Sequence, residues 1–331
     1  MLKQRILTIS ILLPLFVWLL WFSSNTVFLW VTAGVISLAA FEWLKLLKLN
    51  NLMFGLLFVV FLGIIGFFIF NDYINCYNNY LTNKSKIEFG IFIFIFWSFI
   101  FSVGVLLYRE TLAFHLEHSA AVSVDKLRNK LPIAKFIFIL THFQCLWGVL
   151  IPSWLAMNHL KIHNKNLLVF ACSIIIAADI GAYISGKLFG KHKLTIISPG
   201  KTWEGVLGGY IGTLLVASVY IILNINSVAF NYNEYYYYYF NNDFNYSNPI
   251  FDILANSNYI FILKIFLITT VTFIFSVIGD LCESLLKRIA GVKDSGNILP
   301  GHGGILDRID SFCSGIPMFL LSFLLLNKYL E

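Results

Sequence analysis

Apolar residues run through this chain in long unbroken stretches separated by short polar connectors. Nine stretches stand out, over 6–23, 27–44, 52–71, 89–108, 135–156, 166–186, 203–224, 259–281 and 312–328. Each comes near or above the roughly 20 residues that a helix needs to cross a bilayer. The stretches are continuous and do not alternate apolar with polar, which argues against a transmembrane barrel. The pattern predicts an all-α, polytopic transmembrane helical bundle of about nine spans. The first stretch follows Lys3 and Arg5, as a signal peptide would. Ser23-Ser24-Asn25 leads at once into the next apolar stretch, however, and no A-x-A cleavage site intervenes. It reads as a retained first helix.

Composition narrows the classes further. Of 331 residues, 59% are hydrophobic and 12% charged, with a mean hydropathy of +0.80. That is about half the charge of an ordinary soluble domain. Thirty-three Phe, 16 Tyr and 8 Trp exclude a disordered chain, because disorder needs low hydrophobicity. Five Cys with no C-x-x-C pair exclude a disulfide scaffold and give no zinc spacing.

The basic residues set the orientation. With the N-terminus inside, the inner segments collect Lys3 and Arg5, Lys45 and Lys48, then the groups Arg109–Lys135, Lys187–Lys201 and Lys287–Arg308. Lys84, Lys86, Lys161 and Lys165 stay outside. The two most polar connectors, 187–202 and 282–311, therefore share the cytoplasmic side. The net charge of +6 follows from topology and from contact with anionic headgroups. No nucleic-acid motif appears. Segment 225–258 contains the run Tyr235 to Tyr239 and many Asn, with no Lys or Arg. It reads as a biased, partly disordered outer loop.

Ionisable groups inside a membrane protein are costly and by default mark a functional site. Three clusters qualify. In the first, Asp179 lies within an apolar stretch one turn before Tyr183, and Ala178, Ala182, Gly186 and Gly190 recur every four residues. That spacing lets another helix approach closely. The second is Ser198-Pro199-Gly200-Lys201-Thr202-Trp203-Glu204-Gly205. It ends like a P-loop, but Thr195 stands where the first glycine is required. What survives is a Ser-Pro turn feeding a helix N-terminus with free backbone N–H groups and a lysine, which suits an anionic phosphate. Gly205, Gly208, Gly209 and Gly212 then give two overlapping G-x-x-x-G spacings.

The third cluster is the densest. It runs from Asp280 through Glu283, Ser284, Lys287 and Arg288 to Lys293-Asp294, then from Pro300-Gly301-His302-Gly303-Gly304 to Asp307, Arg308 and Asp310. If the eighth helix continues past Asp280, then Asp280, Glu283, Ser284 and Lys287 share one face. Carboxylates in this number beside basic residues suit hard divalent cations carrying a nucleotide phosphate chain.

Ser284 to Asp310 reads S-x-L-K-R-x-x-x-x-K-D-x-G-x-x-L-P-x-H-G-G-I-x-D-R-I-D. This resembles, at every defined position, the signature of phosphatidate cytidylyltransferases, also called CDP-diacylglycerol synthases. The S-P-x-K-T-x-E-G of Ser198–Gly205 and the A-Y-x-x-G-x-x-F-G-K of Ala182–Lys191 are similar to the same family, as is the N-terminal Met1-Leu2-Lys3-Gln4-Arg5-Ile6. The detailed match covers roughly 170–315, and the Tyr/Asn-rich outer loop departs from the compact family pattern. The resemblance divides the chain into N-terminal helices over 1–165, with about five spans, and a C-terminal catalytic region over 166–331.

The resemblance implies transfer of a cytidylyl group from CTP to phosphatidate, giving CDP-diacylglycerol and diphosphate, in the bacterial inner membrane with the active site at the cytoplasmic face. It implies Mg²⁺ held by Asp280 and Asp307, with Glu283 and Asp310 as weaker candidates for a second cation or for support. Ser198, Lys201, Lys287, Arg288, Lys293 and Arg308 become candidates for substrate phosphates. His302 either assists the leaving group or braces the Gly303-Gly304 turn. Asp179 orients Lys201, contacts the nucleotide or joins the metal shell. Membrane lipids are the other partners, and the small-residue spacings allow either internal packing or a homodimer. Two alternatives remain: a CTP-dependent polyprenol or phytol kinase, and an ion-coupled transporter, which would show inverted repeats and midplane sites.

Overall fold

A computed structural model describes residues 2–46, 148–162, 164–240 and 257–329, apart from 196, 197, 199, 300 and 302. The expected spans at 52–71 and 89–108, the first part of the one at 135–156, and His302 lie outside the described residues. Among the described residues there are seven helices and no strand. They are α1 (Leu2–Trp21), α2 (Asn25–Leu46), α3 (148–162), α4 (Lys165–Phe189), α5 (Trp203–Phe240), α6 (Ser257–Ala290) and α7 (Leu306–Tyr329). Among the described residues, five segments are long and apolar enough to cross a membrane: Asn25–Leu46, Lys165–Phe189, Trp203–Asn224, Tyr259–Arg288 and Leu306–Leu326. The all-α class stands, and the chain is an integral membrane protein.

The break between α1 and α2 is a helix stop and start. Phe22 N–H still donates to the Trp18 carbonyl, and the Ser24 hydroxyl then accepts from Val27 N–H at 3.3 Å as an N-cap. Ser23 and Ser24 thus shape a turn between two apolar helices.

The chain forms two compact units. The first joins Met1–Leu168 to Ser276–Pro317, and the second joins Val169–Phe275 to Met318–Glu331. In the first, Trp154 of α3 is fully buried, and its indole N–H donates to the Leu29 carbonyl at 3.3 Å and to Thr32 Oγ1 at 3.1 Å. A buried indole needs such a partner, so this pair fixes α3 against α2. Buried Lys161 donates to the Leu19 and Leu20 carbonyls at the C-terminus of α1, where a cation meets the negative end of the helix dipole.

In the second unit, α4 and α5 pack through the small residues that the sequence spacing predicts. A Cβ on Gly181 would fall on the Gly208 carbonyl, one on Gly209 would lie 2.8 Å from the Ala178 carbonyl, and one on Gly212 the same distance from that of Ala177. Backbone meets backbone along this stripe. Further along, the rings of Phe170 and Tyr220 stack at 3.9 Å.

Two boundaries differ from those the sequence predicts. α5 continues to Phe240, so Tyr235–Tyr239 are helical where an outer loop was expected from 225. No Gly or Pro falls between Thr213 and Phe240, and without a breaker the helix has no local reason to stop. The connector expected at 282–311 is also shorter. α6 runs to Ala290 and α7 begins at Leu306. The segment after Asp280 is rich in helix formers and carries the i, i+4 pair Glu283–Lys287. α6 ends at Gly291, whose φ is +73°. There Gly291 N–H donates to the Arg288 carbonyl at 3.0 Å and Val292 N–H to that of Lys287 at 2.9 Å, the paired bonds of a Schellman cap.

Candidate active site

The end of α6 and the start of α7 carry the acidic signature, and both lie in the first unit. Because α6 continues past Asp280, the one-face register holds. Ser284 Oγ reaches Asp280 Oδ1 at 3.4 Å, and the Lys287 ammonium is ion-paired with the Glu283 carboxylate. Lys287 also meets Asp307 Oδ1 at 2.8 Å, tying the last turns of α6 to the first turn of α7. Glu283 is buried, and beyond Lys287 neither of its carboxylate oxygens has a hydrogen-bond donor among the described residues.

Asp307 is held on both oxygens. Oδ1 takes Lys287, while Oδ2 accepts Ser295 N–H at 2.9 Å and Gly304 N–H at 2.8 Å. Gly303 has φ +84°, and a Cβ there would lie 2.7 Å from Asp307 Oδ2. Only glycine suits that backbone and that proximity. Asp310 accepts its neighbour Ser311 N–H at 2.8 Å. It lines a cavity of about 30 Å³ with Glu283, Gly279, Cys282, Cys313 and Ser314. Arg288, Lys293 and Arg308 are exposed.

The sequence motifs do not point to one further residue of this cluster. Glu42 of α2, 4% exposed, accepts Ile305 N–H at 3.1 Å on Oε1. Its Oε2 accepts Leu306 N–H at 2.8 Å and Ser295 Oγ at 3.0 Å. The available signal is a lone carboxylate in the apolar stretch 27–44. It stands far from any motif in sequence, so nothing local ties it to the signature.

The second unit holds the other two clusters. After α4, residues 192–194 pair with 201–203: Leu194 N–H donates to the Lys201 carbonyl at 2.8 Å and Trp203 N–H to that of His192 at 3.0 Å. Lys201 N–H also donates to the Ser198 carbonyl at 3.0 Å. The N-terminus of α5 is capped from within. Thr202 Oγ1 accepts Gly205 N–H at 3.1 Å, and the Glu204 carboxylate in the first turn meets His192 Nδ1 at 2.6 Å. The free N–H groups expected there are therefore partly engaged, with Thr202 in the capping place. Asp179 is exposed on α4. The structure thus brings Glu283, Lys287, Asp307 and Asp310 together at the adjoining ends of α6 and α7, with Asp280 a turn earlier on α6 beside Ser284. Ser198, Lys201 and Asp179 belong to the other unit.

The carboxylates at these helix ends supply oxygen donors, with Lys287 shared between Glu283 and Asp307. Oxygen donors suit a hard divalent cation. Among the described residues no three His, Cys, Asp or Glu side chains converge to cage an ion by themselves. Mg²⁺ does not demand that, since it binds through one or two carboxylates and completes its shell with phosphate and water.

The chain is thus a helical membrane protein that gathers carboxylates and a lysine at the adjoining ends of two helices. The chain belongs to the cytidylyltransferase family, whose model matches residues 3–326. It is similar to the phosphatidate cytidylyltransferase of Haemophilus influenzae, with 30% identity over 96% of this chain and 97% of the relative. The enzyme of that name from Pseudomonas aeruginosa is 29% identical over 96% of both chains. That from Bacillus subtilis is 36% identical over 53% of this chain and 54% of its own.

Proposed function

We propose that the chain transfers a cytidylyl group from CTP to phosphatidate, forming CDP-diacylglycerol and releasing diphosphate. The observation that carries this reading is the Glu283–Lys287–Asp307 cluster, set inside a family match that spans the chain. A phosphate oxygen of phosphatidate attacks the α-phosphorus of CTP. The bond to the β-phosphate oxygen breaks, and its electron pair leaves with diphosphate. No Ser, Cys or His nucleophile is needed, so the protein's work is positioning and charge neutralisation.

Asp280 and Asp307 are proposed to hold Mg²⁺, with Glu283 and Asp310 in support. When bound, the ion supplies charge stabilisation to the phosphate oxygens. Lys287 keeps Glu283 and Asp307 in place. The exposed Arg288, Lys293 and Arg308 offer charge to substrate phosphates, and Lys201 does so on the strength of the motif it occupies. The polar connectors face the cytoplasm of a bacterial inner membrane, as the distribution of Lys and Arg indicates.

Detergent-purified protein given phosphatidate, Mg²⁺ and CTP tests this directly, with the α- and γ-phosphates labelled in separate reactions. The expected result is α-label in lipid and γ-label in diphosphate. Entry of γ-label into lipid would instead make the chain a lipid kinase. In the same assay Lys201→Ala is expected to lower kcat/KM at least tenfold, the order of effect of removing one charge-assisted hydrogen bond. An unchanged value would remove Lys201 from the site.

A further inference from the structure

α7 begins without a cap of its own. Its N-cap position is Ile305, which has no side-chain acceptor, and such positions are poor helix starts. The two amides that open the helix, those of Ile305 and Leu306, are accepted instead by Glu42, more than 260 residues earlier in the chain. Its two carboxylate oxygens take the Ile305 and Leu306 amides, and one also takes the Ser295 hydroxyl. Two glycines of the signature make room for it. A Cβ on Gly296 or on Gly304 would collide with the Glu42 carboxylate.

Glu42 and Asp307 grip the same pieces of backbone. Asp307 accepts the amides of Ser295 and Gly304, and Glu42 accepts the Ser295 hydroxyl and the next two amides, Ile305 and Leu306. The two ends of the 295–304 turn are thereby fastened by two carboxylates from different helices. A negative charge at the start of α7 also meets the positive end of its dipole.

We propose that Glu42 is a positioning residue for cytidylyl transfer: it acts through the 295–306 segment to fix where Asp307 stands. This gives α2 a part in the reaction and rests on the function proposed above. Misplacing a reacting group by about an ångström costs on the order of a hundredfold in rate. Glu42→Ala is therefore expected to lower kcat about a hundredfold with KM for CTP and for phosphatidate little changed. Glu42→Gln retains an acceptor for one of the two amides and should recover about tenfold of that loss.

Hydrogen–deuterium exchange on the purified full chain gives a readout independent of turnover. Peptides covering 295–308 should exchange faster in Glu42→Ala, and less so in Glu42→Gln, while α4 and α5 keep wild-type protection. Unaltered exchange at 295–308 would overturn the clamp. Faster local exchange with wild-type kcat would overturn the positioning role. If Glu42→Ala loses protection throughout, Glu42→Gln decides: the proposal needs its defect confined to 295–308 and to kcat. A wild-type protein that moves no label would sink the proposed function instead, and the exchange data would still judge the clamp.

Discussion

Asp307→Asn is expected to leave the protein folded in the membrane and to reduce cytidylyl transfer by about a hundredfold or more. The substitution keeps shape and deletes charge. An Asn carbonyl can still accept the Ser295 and Gly304 amides that now meet Oδ2 at 2.9 and 2.8 Å, so the turn stays clipped to α7. The other half of the side chain then turns an NH₂ towards the Lys287 ammonium, where Oδ1 stood at 2.8 Å. Lys287 keeps its pairing with Glu283, which limits the structural damage. What disappears is the carboxylate proposed to hold the metal. Loss of one preorganised electrostatic group costs about 10²–10³ in rate. The α-label assay measures the loss, and a thermal midpoint in detergent within a few degrees of wild type shows the fold. Full activity in a folded variant would defeat the metal assignment.

How far the sequence shows this site depends on how local each interaction is. The face shared by Asp280, Glu283, Ser284 and Lys287 is legible because helical periodicity alone places it, once α6 is allowed to continue. The G-x-x-x-G stripe on α5 is legible for the same reason, since small residues at that spacing state their own packing. The ends of helices are harder. α7 starts at Leu306, earlier than the apolar stretch from 312, because its first turn is polar and its cap comes from another helix. A local rule looks for Ser, Thr, Asp or Asn before the start and finds Ile305. Glu42 is invisible for the matching reason: its partners are two amides and a hydroxyl more than 250 positions away, and backbone donors leave no mark in the sequence. Thr202 shows the opposite case. It is a local cap, standing directly before the apolar stretch expected from 203, where α5 begins.

Gly181→Val is expected to have the largest effect on the fold itself. A Cβ at Gly181 would land on the Gly208 carbonyl oxygen, with the Gly208 carbon and the Gly209 Cα each 3.1 Å away. All three are backbone atoms, so no side chain can swing aside, and α4 and α5 have to separate. The reciprocal contacts move with them: Gly209 lies against the Ala178 carbonyl and Gly212 against that of Ala177. In a bilayer this close approach is itself the driving force, since lipid tails are as apolar as the helices. Overpacking costs typically about 1–3 kcal/mol, and a whole helix seam puts this variant at about 3 kcal/mol or more. Gly34→Ala is the control, because nothing lies within 4 Å of its added Cβ and Ala is the better helix former by about 1 kcal/mol. Thermal midpoints of the two purified variants should therefore move in opposite directions, down sharply for Gly181→Val and level or up for Gly34→Ala. If Gly181→Val melts with the wild type, α4 and α5 do not pack through their glycines, and the seam that carries the second unit is wrong.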